Sequence, residues 1–170
     1  IRNKHRIASG SISTLNFEDI DPLRAMRSVL KYWEGSMIYN SKDTADMSEF
    51  YEEFFRILED YKGIDDGLIY MEDKKPVGFA VWEELGTGTA NLFINLGDSS
   101  ITGLSDFQVV TTCQRLNDKG IGYLNLGGSE IKSLDDFKAK YQPVKTIPLL
   151  SAEVRYGQPS NSNIQIQTLV

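Results

Sequence analysis

Two periodicities take turns along the chain. Leu23, Met26, Val29, Leu30 and Trp33 recur at the spacing of one helix face, and Asp19 or Asp21 followed by Pro22 supplies a start signal ahead of them. Gly35 is the expected stop. Beyond the polar stretch Ser41 to Asp46, a second helix is expected from about Met47 to Tyr61. Its apolar stripe is Phe50, Phe54, Ile57, Leu58 and Tyr61, and Gly63 ends it. That aromatic stripe reads as core packing rather than as a cofactor box. Strand signals flank these helices. Arg6 to Phe17 alternates in part through Ile7, Ser9, Ser11 and Ser13. Leu68 to Met71 and Pro76 to Leu85 enclose the turn Glu72-Asp73-Lys74-Lys75 as an antiparallel hairpin, and Gly86-Thr87-Gly88 turns into a strand from Ala90 to Leu96. The loop Gly97 to Gly103 leads into a helix from about Leu104 to Lys119, capped by Gly120. A strand from Ile121 to Leu126 follows, then a short helix capped by Ser133 that ends before Pro143. Thr146 to Arg155 and Ile164 to Gln167 read as closing strands, separated by a turn or linker from Gly157 to Asn163.

The predicted order is β-α-α-β-β-β-α-β-α-β-β, an α/β (α+β) mixed sheet with helices on both faces. The chain of 170 residues is long enough for one domain with a real core, residues 1–156, with 157–170 as a turn and final strand or tail of that same domain. Its 41% hydrophobic and 25% charged residues are those of an ordinary globular protein. No apolar run approaches the ~20 residues needed to span a membrane. Ile1 to His5 is polar and basic with no apolar segment behind it, unlike a signal peptide, and the initial Ile fits a trimmed chain or a domain cut from a longer protein. The net charge of −6 disfavours broad nonspecific binding to nucleic acid. Two local basic clusters, Arg2, Lys4 and Arg6, and Lys132, Lys138, Lys140 and Lys145, read as solvated surface. Cys113 is the only cysteine and His5 the only histidine. No intramolecular disulfide can form, which fits a cytoplasmic setting, and a Cys/His zinc site is excluded. No metal is expected, and a histidine-based nucleophile would depend on a terminal residue.

The most suggestive chemistry lies in Tyr123-Leu124-Asn125-Leu126-Gly127-Gly128-Ser129-Glu130, followed by Leu134-Asp135-Asp136-Phe137-Lys138-Ala139-Lys140-Tyr141. A strand that stops on paired glycines lets a ligand approach the backbone, because glycine lacks a side chain and accepts positive φ. Asn125 is polar between two leucines, so its amide calls for a partner, either a ligand or an adjacent strand. Ser129 either binds a ligand or caps the turn. Tyr123 and Tyr141 read as half-buried packing residues and Cys113 as a small core residue.

With this order of elements, the chain resembles the GNAT acyltransferase fold over essentially its whole length. The Gly-Gly turn and the Phe137-Lys138 helix are similar to the aminoacyl-transferring branches, the FemABX peptidoglycan transferases and the phosphatidylglycerol lysyltransferase C-terminal domain. The resemblance implies transfer of an acyl or aminoacyl group to an amine by direct attack. The donor is either aminoacyl-tRNA or acyl-CoA, no cofactor is tightly bound, and the acceptor is a small-molecule or peptide amine. It also implies a V-shaped cleft where the strand Ala90 to Leu96 splays from Ile121 to Leu126, with the donor carbonyl on backbone near Phe93 to Asn95. Donor phosphates would meet the loop before Leu104, where a helix start with Ser100, Thr102, Gly103 and Ser105 offers N–H and hydroxyl donors. Asn125, Gly127, Gly128 and Ser129 form the opposite wall. The expected catalytic residues are Glu130 as base, which otherwise reads as a surface residue one turn before a helix, with Glu83 and Glu84 as alternatives, and Tyr141 as acid, one helical turn beyond the family position that Phe137 occupies. Asp98 stands where acetyl-CoA enzymes carry Arg or Gln before spaced glycines, and it would repel a pyrophosphate. A non-catalytic binding module of a larger protein and an acetyl-CoA-dependent N-acetyltransferase are the alternative functions.

Overall fold

The computed structural model describes residues 10–39, 45–60, 66–129, 132–147, 150–152 and 166–168. Arg2, Lys4, His5 and Arg6, the start of the first strand, Tyr61, Gly63, Glu130 and the turn from Gly157 to Asn163 lie outside the described residues. The chain divides into two compact units, Ile1–Gly127 and Gly128–Val170.

The first unit contains β1 (Ile12–Asn16), a 3-10 turn at Phe17–Asp19, α1 (Pro22–Tyr39) and α2 (Ala45–Asp60). These are followed by β2 (Gly67–Glu72), β3 (Lys75–Glu84), β4 (Thr89–Gly97), α3 (Leu104–Asp118) and β5 (Tyr123–Asn125). The strands form one five-stranded mixed sheet in the order β1-β2-β3-β4-β5. Neighbours from β1 to β4 are antiparallel, and β4 pairs β5 in parallel. The parallel pair requires a crossover, which α3 supplies. The second unit contains α4 (Lys132–Ala139) and a two-stranded antiparallel sheet of β6 (Leu150–Ala152) and β7 (Ile166–Thr168). Among the described residues no helix is long and apolar enough to cross a membrane.

Local chemistry explains the boundaries. The Asp21 carboxylate accepts from the Arg24 N–H at 3.1 Å and caps α1, with Pro22 in its first turn. The helix does not stop at Gly35 as expected. A mid-helix glycine costs ~1 kcal/mol, and the packing of Trp33 and Met37 on the core carries α1 past it. In α2 the stripe is rotated from the expected one. Tyr51 and Phe55 are buried, while Phe50 and Ile57 are 55% and 44% exposed. Aromatic residues on adjacent positions left the phase open in the sequence, and the edge-on contact of Tyr51 with Trp33 at 5.7 Å settles it.

The β2–β3 turn tightens to Asp73-Lys74, both at positive φ, as a two-residue hairpin of matching twist demands. After α3, Gly120 at φ +79 donates to the Asn117 carbonyl and Ile121 donates to the Leu116 carbonyl, each at 2.9 Å. This Schellman cap consumes Ile121 and shortens β5 relative to the expected strand. Three further expectations are corrected. Cys113 is exposed on the outer side of α3, Tyr123 is 62% exposed on the edge strand, and Ser133 lies inside α4 rather than capping it.

Each sheet face carries its own core. Ile69, Phe79, Val81, Ile94 and Leu96 pack with α1 and α2. Leu68, Tyr70, Ala80, Trp82 and Ala90 pack with Leu104, Phe107 and Leu116 of α3. The Tyr70 hydroxyl donates to the Gln108 carbonyl at 3.1 Å and meets the Thr111 hydroxyl at 2.9 Å. Burial pushes this phenol up to about 12, so it stays neutral as it ties α3 to the sheet.

Candidate active site

β4 and β5 pair only through Thr89↔Tyr123, Ala90↔Leu124 and Asn91↔Asn125. β5 ends there, while β4 continues through Leu92–Gly97 with β3 as its one strand partner among the described residues. The last rung is clipped by side chains. Asn125 Nδ2 donates to Asn91 Oδ1 at 3.0 Å, and Asn125 Oδ1 accepts from the Gly127 N–H at 3.0 Å. Asn125 thus finds its partner on the adjacent strand, and the same amide turns the chain into Gly127 at φ +73.

Just past the last rung, β4 is bulged. Trp82 faces Leu92 and Val81 faces Ile94, so Phe93 has no counterpart on β3. The extra residue reverses the alternation: Leu92 packs on the α3 side, whereas Ile94 and Leu96 join the core of α1 and α2. Phe93 is 50% exposed. Alternation from Ile94 and Leu96 puts Asn95 on the α3 side, where its Oδ1 is buried without a hydrogen-bond partner. Among the described residues, the edge of β4 that leaves β5 therefore carries strand backbone with no strand beside it, an exposed aromatic and an unsatisfied acceptor. An extended amide- or ester-bearing ligand can use such an edge as a strand would.

The loop from Gly97 to Gly103 is fixed from both sides. Asp98 Oδ1 accepts from the Ser100 N–H at 2.8 Å and from the Ser100 hydroxyl at 2.7 Å. The hydroxyls of Ser99 and Ser36, the latter on α1, are 2.5 Å apart. Gly103, at φ +85, is the N-cap of α3, and Thr102 and Ser105 are exposed. Asp106 lies buried in the first turn, and no Lys or Arg occurs between Gly97 and Gln108. The segment brings carboxylates and no Lys or Arg of its own toward a pyrophosphate, and Asp98 already occupies the Ser100 donors. These residues do not fit the diphosphate of coenzyme A.

Gln108 is the positioning residue that the sequence did not reveal. It is 1% exposed, and its Nε2 donates to the carbonyls of Leu96 at 2.9 Å and Phe79 at 3.2 Å. Space for it comes from two facing strand glycines, Gly78↔Gly97. A Cβ on Gly78 would lie 2.7 Å from Gln108 Nε2, and one on Gly97 would lie 2.8 Å from Leu104 Cδ2 and 3.0 Å from Gln108 Oε1. The carboxamide thereby bolts α3, and the loop before it, to the free end of β4. The signal was two glycines inside strands, a mark of close approach.

In the second unit, Gly128 is exposed and its carbonyl accepts from Lys138 Nζ, and Ser129 is half-buried. Burial lowers the Lys138 pKa from its ordinary value. Tyr141 is half-buried and packs edge-on against Phe137 at 5.5 Å. Lys140 Nζ sits 3.9 Å from the centre of the Phe137 ring and 5.1 Å from that of Tyr141. Glu130 lies outside the described residues. Of the alternatives, Glu84 pairs with Lys119 at 3.0 Å, beside a second pair between Lys119 and Asp66, and Glu83 is exposed. Glu84 is thus committed to a structural cluster.

Among solved structures, the chain is similar to the C-terminal domain of a candidate lysylphosphatidylglycerol synthetase from Agrobacterium fabrum, with TM-score 0.56 and 16% identity. That likeness covers 84% of this chain and 49% of the other, so the chain spans about half the length of that relative. A GNAT-family acetyltransferase from Staphylococcus aureus Mu50 aligns with TM-score 0.52 and 13% identity over 94% of this chain and 100% of its own. A PaiA N-acetyltransferase from Thermoplasma acidophilum, solved with coenzyme A, aligns with TM-score 0.50 and 16% identity over 92% and 96%. At these identities the likeness shows the GNAT fold. No curated protein sequence matches the chain. Residues 11–152 match the family described as phosphatidylglycerol lysyltransferase, C-terminal.

Proposed function

The chain belongs to the phosphatidylglycerol lysyltransferase C-terminal family, and we propose that it moves an aminoacyl group from a charged tRNA to an amine acceptor by direct attack. The observation that carries this reading is the edge of β4 that β5 leaves beyond Asn91, with its bulge at Phe93. An aminoacyl ester laid along that edge receives a backbone N–H between Phe93 and Asn95 on its carbonyl oxygen. The amine nitrogen attacks the carbonyl carbon, and the oxyanion that forms is stabilised by that N–H. Collapse breaks the ester C–O bond and releases the tRNA 3′ oxygen. The attacking nitrogen must lose a proton and the leaving oxygen must gain one. Glu130 takes the first role and Tyr141 the second. Ser129, Gly127 and Gly128 remain donor-contact candidates, as do Thr102, Gly103 and Ser105.

Acyl-CoA is the weaker donor because the loop from Gly97 to Gly103 offers carboxylates where a diphosphate needs cations. The family description favours a second acceptor, a hydroxyl of phosphatidylglycerol, reached by the same attack on the same donor.

A transfer assay tests both. The protein is mixed with radiolabelled aminoacyl-tRNAs or with labelled acetyl-CoA, each with a polyamine or with phosphatidylglycerol vesicles. Product from aminoacyl-tRNA and none from acetyl-CoA is expected. Acetyl transfer alone would overturn the donor assignment, and silence from every donor would identify a non-catalytic binding module.

A further inference from the structure

We infer that Asn95 is a specificity-determining residue that selects donors carrying an α-amino group, an inference that rests on the aminoacyl-transfer reading above. Asn95 sits on the stretch of β4 that has β3 on one side and no β5 on the other. Its register partner is Ala80, which has no polar side-chain atom to offer. Its Oδ1 is buried and makes no hydrogen bond. A buried acceptor without a partner loses its water and gains nothing in return, at a cost of about 1–3 kcal/mol. The Gln108 amide shows the contrast: its Nε2 is spent on two strand carbonyls. Asn95 has no such structural employment.

Nothing holds the Asn95 oxygen in place, and a carboxamide turns about its last torsion in a broad, roughly two-fold well. Turning about that torsion exchanges the oxygen with the amide nitrogen and breaks no hydrogen bond of the oxygen, so the oxygen is available to a ligand beside this stretch of β4. An aminoacyl ester held by its carbonyl near Phe93 to Asn95 brings its α-ammonium within one bond length of the scissile carbon's neighbour, on the same edge. A carbonyl-type oxygen accepts from an ammonium in a charge-assisted bond, stronger than a neutral one. A simple acetyl group brings no N–H to that position and leaves Oδ1 unsatisfied. Sites built to bond a polar group discriminate strongly against analogues that lack it, because their own buried atoms stay unpaired.

The test compares the wild type with Asn95→Leu, using puromycin, whose 3′-linked amino acid mimics a charged tRNA end, and its counterpart lacking the α-amino group. The ligand-free variant is expected to melt at or above the wild-type temperature, since a group with no partner is replaced by an apolar one. Wild type is expected to bind puromycin at least tenfold more tightly than the deaminated probe, and Asn95→Leu to bind the two alike. A variant that melts well below wild type would make Asn95 structural and overturn the inference. A variant that keeps the preference would overturn the role of Asn95 while leaving the aminoacyl reading standing. A wild type that binds neither probe would overturn the aminoacyl reading itself.

Discussion

Gln108→Ala is expected to lower the free energy of unfolding by about 3 kcal/mol, through a buried cavity together with two lost hydrogen bonds to strand carbonyls. The side chain fills, together with Leu104, the space left by Gly78 and Gly97, so its truncation empties part of a closely packed contact. For a chain of this size that loss corresponds to roughly 6–12 °C in melting temperature. Urea unfolding followed by tryptophan fluorescence measures it directly, because Trp82 lies in the core beneath α3. The same substitution loosens the start of α3 and the loop from Gly97 to Gly103 from the free end of β4. Donor affinity should therefore fall in the surviving folded protein. A change below about 0.5 kcal/mol, the ordinary scatter of surface substitutions, would show that the carboxamide does not bolt the helix to the sheet.

The second large effect concerns chemistry. Glu130→Gln is expected to reduce turnover at least tenfold, equivalent to about 1.4 kcal/mol in the barrier, with little change in melting temperature. Glutamine keeps the size and the hydrogen-bonding reach of glutamate but cannot accept a proton from the attacking amine. An unchanged rate would remove Glu130 from the mechanism. A loss of rate accompanied by a large loss of stability would assign it a structural role instead.

Much of the fold was legible because each element carried its own punctuation. Asp21 with Pro22, Gly120, and the Asp73-Lys74 turn all act locally, and the hydrophobic period between them is uninterrupted. Gly35 and the stripe of α2 were misread because both are decided by tertiary packing. Trp33 and Met37 hold α1 past its glycine, and Tyr51 rather than Phe50 meets Trp33. The candidate site was legible only in outline. The splay follows from where Asn125 ends β5, which the Gly127-Gly128 pair announced. The bulge at Phe93 leaves no local mark, because it is set by register between β3 and β4. The role of Gln108 is equally hidden, since its partners are backbone carbonyls on two strands distant in sequence.

The central claim is that the donor lies along the β4 edge beyond Asn91. Amide hydrogen exchange with and without puromycin tests it most directly, because unpaired edge N–H groups exchange freely until a ligand bonds them. Slowed exchange confined to those amides of Leu92 to Gly97 that face away from β3, with the amides bonded to β3 and those of the Thr89 to Asn91 rungs unchanged, is the predicted result. Protection that appears elsewhere while Leu92 to Gly97 exchange as before would contradict the account.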